Sequence, residues 1–297
     1  MYSPTLEPAL TVDTIVLVSE ADPVANAVAT EWGTLPAAEE HVDGVPIRQL
    51  REGMLVVRRP GGHIHDDDVD RRLPKRLFEA HPTLVFPSIH RSAKNIHSLT
   101  VHALGNPGSR AEKGGRPRTL VPADPLRMVS TLRFLDEGAR GIGMTATYEA
   151  THHGPTVALP AFFVEIGYGE LSSPPREAVH LLADVIPRIS ALEGDRVALG
   201  VGGGHYAPHF TDLALHRQWA FGHILSRHAL EELDPAMARE AYAKTPGSEG
   251  VLYARAQDAE NPALRGVAPR LRDQDAPPRE RASPTAATDG ARSVSGT

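Results

Sequence analysis

Short hydrophobic runs alternate along this chain with segments whose apolar residues recur at helical spacing. The run Asp13–Ser19 has the length of a buried strand, and Ala21–Glu31 follows it with the pattern of a short helix. Further strands are predicted at 45–50, 54–58, 83–87, 98–104, 145–149, 161–167, 196–201 and 219–225. Further helices are predicted at 125–137, 176–192 and 231–244. Apolar strands separated by helices are typical of an α/β protein whose mostly parallel sheet is covered on both faces.

Two single residues indicate where helices begin and break. Asp124 precedes the helix predicted from residue 125, and its short carboxylate is suited to capping that helix. Pro187 lies inside the segment 176–192, where the missing N–H of proline is expected to interrupt or kink the helix.

The two ends of the chain differ from its middle. Residues 1–10 are expected to be loose, and 11–257 to form a single domain. Residues 258–297 contain five prolines and no aromatic residue. Such a segment buries too little apolar surface to offset its ordering entropy, so we predict a disordered tail there.

Composition excludes several classes of protein. The chain has 297 residues, no cysteine and 15 histidines, and its net charge is −6. Without cysteine there is no disulfide and no thiolate metal site, so a metal would need histidine and carboxylate ligands. No apolar run is long enough for a membrane span, and the N-terminus lacks the pattern of a secretory signal. We therefore expect a cytoplasmic protein without a membrane or DNA partner, and a monomer by default.

Polar clusters follow several predicted strands, at the edge where α/β sheets usually carry their chemistry. The most concentrated cluster is Glu149, His152 and His153, followed by a Gly-Pro turn. On a loop these side chains can converge, and they then suit either a zinc site or a general base with its orienting partner. The plain alternative is a hydrogen-bonded loop with surface histidines.

A second cluster begins with Gly202–Gly204 and continues with His205. Backbone amides of such a loop can line an anion pocket or an oxyanion hole, although the run is neither a P-loop nor a dinucleotide fingerprint. The alternative is a flexible turn with an incidental histidine.

A third cluster joins His90, His102 and Asn106, which lie at or near the ends of two predicted strands. Nearby hydroxyls suggest a serine nucleophile, but no G-x-S-x-G motif is present. Taken singly, His102 has the pattern of a core histidine, and His223 on an apolar strand is either structural or turned toward the site.

The loop Gly108–Arg118 carries four Lys/Arg against one Glu. Long cationic side chains on such a loop suit a phosphate backbone, and the loop directly follows the third cluster. The alternative is a solvated loop without a ligand.

Five segments taken together resemble the D-aminoacyl-tRNA deacylases of the archaeal and plant type. They are SLTVHALGN (98–106), YEATHHGPT (148–156), LPAFFVEIG (159–167), ALGVGGGHYAP (198–208) and AFGHIL (220–225). They occur in the order and spacing of that family, and the resemblance covers residues 10–255. The combination of EATHHGPT with GGGHYAP is far more specific than either motif alone.

The resemblance implies hydrolysis of the ester that joins a D-amino acid to tRNA, zinc dependence, and a three-layer α/β/α fold of the phosphorylase/hydrolase kind with a mixed, mostly parallel sheet. Ester hydrolysis needs an activated water, stabilisation of the oxyanion and contacts that bind tRNA. The histidines and carboxylates, the Gly202–Gly204 run and the loop Gly108–Arg118 are candidates for these three roles. The predicted catalytic residues are Glu149, Glu165, His152 and His205. The predicted Zn²⁺ ligands are His90, His152, His153 and His205. The predicted substrate contacts are Asn106, Arg110, Lys113, Arg116, Arg118, Gly202, Gly203 and Gly204.

Three alternatives remain open from the sequence. A metal-dependent hydrolase of small esters or amides would use the same histidines and carboxylates, with the basic loop incidental. A peptidyl-tRNA hydrolase would act on N-blocked L-substrates. A non-catalytic RNA-binding protein is disfavoured by the clustering of titratable groups and by an aromatic content of 5%.

Overall fold

The computed structural model describes residues 11–33, 40–42, 45–91, 96–169 and 173–279. The strands are β1 Thr14–Ser19, β2 Glu40–Val42, β3 Val45–Arg51, β4 Met54–Arg59, β5 Thr83–His90, β6 Ser98–Ala103, β7 Gly105–Asn106, β8 Thr119–Leu120, β9 Thr145–Tyr148, β10 Ala161–Gly167, β11 Arg196–Val201, β12 Trp219–Leu225 and β13 Ser248–Tyr253. The helices are α1 Pro23–Gly33, α2 Lys75–Glu79, α3 Pro125–Ala139, α4 Arg176–Val185, α5 Pro208–His216, α6 Arg227–Leu230 and α7 Pro235–Ala243.

A large mixed sheet forms the centre of the fold. Its order is β2-β3-β4-β1-β5-β10-β6-β9, in which β4, β1, β5 and β10 run parallel and β6 pairs antiparallel with β10. A second sheet, β12-β11-β13, is parallel. The predicted α/β class with a mixed, mostly parallel sheet is confirmed.

Alternation along the strands divides the core between the two faces of the large sheet. Val16 and Val85 pack with residues of α1, α3 and α4 on one face. Ile15 and Phe86 pack on the other face with the segment 69–77, which includes part of α2. The sheet therefore lies between two helical layers, and its strand ends remain free for chemistry.

The helix-boundary predictions are confirmed in detail. Asp124 Oδ1 accepts a hydrogen bond of 3.1 Å from Arg127 N at the start of α3. Helix α4 ends at Val185 and continues as a 3₁₀ turn over Ile186–Arg188, because Pro187 has no N–H to donate. The helix predicted at 231–244 begins later, at Pro235, where Asp234 caps it.

The predicted tail differs most from the structure. Residues 258–279 lie against the second sheet, so the disorder expected there is wrong for this segment. Val251 N donates to Pro269 O (2.8 Å), Trp219 Nε1 donates to Asp273 O (2.9 Å), and Ala276 is fully buried. Hydrogen bonds to the second sheet hold the segment in place, together with a few apolar side chains such as Leu264 and Leu271 that pack against the core. The expectations for 1–10 and 280–297 fall outside the described residues.

No helix in the described part of the chain combines the length and apolarity that a membrane span requires.

Candidate active site

The polar clusters of the sequence meet at one edge of the large sheet. The register pairs Glu165 of β10 with Ser88 of β5 and with Thr100 of β6. His102 lies two residues along β6 from Thr100 and stacks on Phe163 of β10, with 5.3 Å between ring centroids. Strands β5, β6 and β10 thus carry polar side chains where they approach this edge of the sheet, although the rest of each strand is mainly apolar.

The loop after β9 brings two neighbouring histidines together. His153 has φ +44°, a left-handed conformation that side chains with a Cβ rarely adopt. This bend turns the rings of His152 and His153 toward each other, with 4.4 Å between centroids. The ring of His102 lies 4.2 Å from that of His152 and 4.9 Å from that of His153. The convergence expected of a loop is therefore present, and it includes a third ring.

These three rings share one hydrogen-bonding pattern. Each directs Nδ1 at a backbone carbonyl: His102 at Ala103 O (3.1 Å), His152 at Ala150 O (2.8 Å) and His153 at Gly154 O (2.7 Å). A carbonyl accepts hydrogen bonds, so each Nδ1 carries the proton and each Nε2 keeps its lone pair. The three rings can together offer ligand atoms within 4.8 Å of one another.

Two buried carboxylates adjoin the three rings. His90 Nδ1 lies 3.2 Å from Glu149 Oε1 and 3.3 Å from Glu165 Oε2, so one ring nitrogen faces both. His90 Nε2 is 3.0 Å from the hydroxyl of Tyr206. His205 Nε2 lies 3.4 Å from Glu149 Oε2. Glu149 therefore contacts a histidine at the end of β5 and another in the loop after β11, while being almost completely buried.

Burial and neighbouring groups shift the pKa values of the two carboxylates in opposite directions. Burial, reinforced by the charge of Glu165, holds the pKa of Glu149 well above its usual value. Burial acts in the same direction on Glu165, but the neighbouring imidazoles of His102 and His90 outweigh it and lower the pKa of Glu165.

Three histidines of the site, His152, His153 and His205, have lowered pKa values. Burial, together with the other rings, lowers the pKa of His152 well below its usual value and that of His153 to about 3. Burial and the facing ring of His90 lower the pKa of His205 to about 4. Neutral imidazoles are the form that binds metal ions and accepts protons.

Comparison with known proteins identifies the family. A sequence model of the D-aminoacyl-tRNA deacylases matches residues 78–270. A D-aminoacyl-tRNA deacylase of Methanosarcina mazei is 35% identical over 241 residues, which are 76% of this chain and 76% of that protein. This chain belongs to the D-aminoacyl-tRNA deacylase family. The deacylase of Thermoplasma acidophilum is 38% identical over 172 residues, covering 58% of this chain and 67% of that protein.

A solved structure shows the same fold. The crystal structure of a protein described as conserved and of unknown function aligns with a TM-score of 0.77 and 26% sequence identity. The alignment covers 89% of this chain and 96% of that one. The shared architecture thus extends well beyond the segments whose motifs define the deacylase family.

Two cavities meet at the histidine cluster of this family member. The larger has a volume of about 760 Å³ and the smaller about 430 Å³. Their walls share four residues: Lys113, His152, His153 and His205. The chemistry-bearing side chains therefore lie between two spaces, each of the size that small-molecule sites use.

The basic loop divides into two parts. Arg110 and Lys113 line the larger cavity. Arg116 instead pairs with Asp68, and Arg118 pairs with Asp234. The structure thus places two of the four predicted phosphate contacts at the cavity and the other two in ion pairs outside its wall.

Two arginines that the sequence reasoning missed lie at the same cavity. Arg227 and Arg255 each follow a strand of the second sheet by two residues, after β12 and β13. Both strands pair in parallel with β11, so their ends reach the same edge. Nothing local in the sequence marks either residue; the signal lies in the strand order.

The glycine run is only partly available to a substrate. Gly202 N donates to Leu225 O (2.8 Å), which differs from the predicted role of this amide in the site. Gly203 and Gly204 line the larger cavity, as does Asn106. The side-chain amide of Asn106 donates to Gly114 O (2.9 Å), so it also fixes the loop that carries Lys113.

His223 lies behind the loop that carries His152 and is not part of either cavity wall. It is fully buried, its Nε2 donates to Val121 O (2.9 Å), and its Nδ1 lies 3.0 Å from the hydroxyl of Thr151. Both ring nitrogens are thereby occupied. His223 anchors the residue before His152 rather than facing the cavities.

Proposed function

We propose that this chain hydrolyses the ester bond of D-aminoacyl-tRNA, releasing a free D-amino acid and tRNA, and so keeps D-residues out of translation. The proposal is carried by one arrangement: three imidazoles and two carboxylates converge beside two cavities that share His152 and His153 in their walls, in a chain of the D-aminoacyl-tRNA deacylase family. Hydrolysis needs an activated water beside a bound ester, and this arrangement offers both proton acceptors and space on each side.

The residues of the cluster fit a zinc ion. His102 Nε2 and both oxygens of Glu149 are buried without a hydrogen-bond partner among the described residues, although buried polar atoms are normally satisfied. Nitrogen ligands with their second nitrogen on a backbone carbonyl are the usual zinc arrangement. We propose that His102, His152 and His153 hold the ion through Nε2. When bound, Zn²⁺ supplies Lewis acidity, which lowers the pKa of water and polarises a carbonyl.

This ligand set differs from the four histidines expected from the sequence. His152 and His153 remain ligands in the proposal, and His102 joins them. His90 and His205 instead group with Glu149 in a second set of possible ligands. Since His90 has its Nε2 at the hydroxyl of Tyr206 and its Nδ1 at both carboxylates, we assign it to orienting those carboxylates.

Glu149 is the proposed general base. Its oxygens lie 3.4 Å from His205 Nε2 and 3.7 Å from His152 Nε2, so it reaches both cavity-lining rings. It takes a proton from the attacking water while the water oxygen bonds to the ester carbon. The bond from that carbon to the ribose oxygen then breaks. The proton returns to the ribose oxygen, and the half-exposed His205 is placed to relay it.

The cations of the larger cavity are proposed to bind the acceptor end of tRNA. Lys113, Arg227 and Arg255 line it, and among the described residues no acidic side chain lies within 4 Å of their charged nitrogens. The cavity's acidic residues contact other groups: Glu112 lies 3.7 Å from Arg110, and Glu232 accepts from Ser109 N. Three cations thus remain for phosphates.

The remaining expectations stay predictions. We propose a monomer, which light scattering after size exclusion would check. We propose a cytoplasmic location, where aminoacyl-tRNA is used, and no role for DNA.

Deacylation of three esters tests the proposed substrate. We expect D-Tyr-tRNA to be cleaved far faster than D-tyrosine methyl ester and N-acetyl-L-Tyr-tRNA. Equal kcat/KM for the methyl ester would favour a small-ester hydrolase, and preference for the N-acetylated substrate would favour a peptidyl-tRNA hydrolase.

A further inference from the structure

The two cavities differ in what surrounds them. The smaller lies among the ends of β1, β4 and β5, where Ala21, Gly62, Ile64 and Ile89 form part of its wall. The larger lies between the basic loop and the ends of the second sheet. A ligand that occupies both cavities must therefore pass the residues that they share, which include His152, His153 and His205, and the histidine cluster can cleave it there.

Charge also distinguishes the cavities. The larger carries four cations, Arg110, Lys113, Arg227 and Arg255, against three carboxylates, and these carboxylates contact other groups: Glu112 lies near Arg110, Glu231 near His228, and Glu232 accepts from Ser109 N. The smaller balances two cations, Lys113 and Arg91, against two carboxylates, Asp22 and Glu165. A polyanion is thus favoured in the larger cavity, and a group without net negative charge in the smaller.

The substrate has the same asymmetry. On one side of the ester is a nucleotide with phosphates, and on the other an amino acid with one amine and a side chain of variable size. Resting on the proposed function, we infer that the smaller cavity receives the D-aminoacyl group and the larger one the terminal adenosine with its phosphate. The ester carbonyl then lies beside Lys113, His152 and His205.

This division makes the smaller cavity the determinant of amino-acid size. Its wall near Gly62 and Ala21 is exposed and has room for larger side chains. Substitutions there should reduce turnover of large D-aminoacyl groups while sparing small ones. A change in the larger cavity should affect all substrates equally, because the nucleotide does not vary.

Two glycines give a matched pair of filling variants. At Gly62, with φ −74°, an added Cβ meets no atom within 4 Å. At Gly204, which is also outside the left-handed region, the nearest atom is Tyr206 O at 3.7 Å. We expect Gly62→Leu to narrow the smaller cavity and Gly204→Leu the larger, because each glycine lies in the wall and neither change requires a left-handed backbone. Ala21→Leu is a second filling variant for the smaller cavity.

The experiment measures kcat/KM on D-Tyr-tRNA and D-Ala-tRNA for each variant, with thermal unfolding as a check on folding. Gly62→Leu and Ala21→Leu are expected to lower the Tyr-to-Ala ratio by about tenfold or more, the effect of a steric clash in a side-chain pocket. Gly204→Leu is expected to lower both values by the same factor.

Two results would overturn the inference while leaving the function intact. In one, the wild type is active and every variant keeps its Tyr-to-Ala ratio. In the other, Gly204→Leu changes that ratio while the smaller-cavity variants do not, which reverses the assignment. A wild-type chain that cleaves neither ester removes the proposed function itself, and this inference with it.

Discussion

The Nε2 atom of His102 lies 3.6 Å from Oε2 of Glu165, and both side chains are buried. His102 Nδ1 donates to Ala103 O, which leaves Nε2 with a lone pair that faces the carboxylate oxygen. Two acceptors facing each other in a buried site are unfavourable without a cation between or beside them. The pair therefore supports the proposed ion at the three histidines.

Removal of a ligand histidine should abolish zinc binding. We expect His102→Ala, His152→Ala and His153→Ala each to lose the roughly one ion per chain of the wild type, because a three-histidine site keeps little affinity with two. Metal content after dialysis, measured by mass spectrometry, checks this. His180→Ala is the control, since this histidine is exposed on α4 and lies outside the site. Full zinc content in all three ligand variants would contradict the ligand set.

Replacement of Glu149 should affect turnover more than binding. Glu149→Gln keeps the shape of the side chain but removes the proton acceptor, so we expect kcat to fall by about 10²–10⁴ with KM little changed. Single-turnover deacylation measures this directly, and zinc content should stay near the wild-type value. A fall confined to KM would assign Glu149 to substrate binding instead.

The cations of the larger cavity should determine the salt dependence. Removing Arg227 and Arg255 together should raise KM for tRNA and reduce the slope of log KM against log salt by about 0.7–0.9 for each lost phosphate contact. The matched control is Arg116→Ala with Arg118→Ala, because these arginines pair with Asp68 and Asp234. The opposite result would contradict the proposal. If the Arg116/Arg118 variant changes this slope and the Arg227/Arg255 variant does not, tRNA phosphates bind at Arg116 and Arg118 and not in the larger cavity.

His223 should make the fold sensitive to acid. Burial lowers its pKa in the folded protein to about 4, against 6.5 as its ordinary value. Between these values the unfolded chain binds the extra proton, so stability is present above about pH 6.5 and is lost as pH falls toward 4. The loss amounts to roughly 3 kcal/mol.

Chemical unfolding at pH 7 and pH 4.5, with chelator present, tests this contribution. His223→Gln should show a smaller fall in the free energy of unfolding than the wild type. His180→Gln, at an exposed position on α4, serves as the control and should behave as the wild type does. An equal fall in all three proteins would assign the acid sensitivity to other groups.

Most of the fold follows from local patterns. Continuous apolar runs such as Thr83–Pro87 and Ala161–Gly167 are strands in the structure because both faces of a central strand are buried. Strand β13, Ser248–Tyr253, escaped prediction because its apolar stretch is short and follows a glycine. The segment 258–279 was not predicted because its order comes from hydrogen bonds and a few buried side chains that meet the second sheet, and composition does not reveal such contacts.

The site was less accessible to sequence reasoning. Neighbours in sequence, such as His152 and His153, indicated the cluster correctly because their loop brings them together. The direction of a single ring such as His102 depends on its packing against Phe163, which sequence alone does not give. Arg227 and Arg255 meet through strand order, and that is a property of the whole sheet.

The most direct test of the central proposal is a deacylation time course on D-Tyr-tRNA and L-Tyr-tRNA, each with and without a zinc chelator. We predict rapid loss of the D-ester alone, abolished by the chelator and restored by added Zn²⁺. Cleavage of neither ester above its rate in buffer would contradict the deacylase function. Unchanged cleavage of the D-ester in chelator, by protein shown to be free of metal, would contradict the zinc site and leave Glu149 and the histidines acting as acid and base alone.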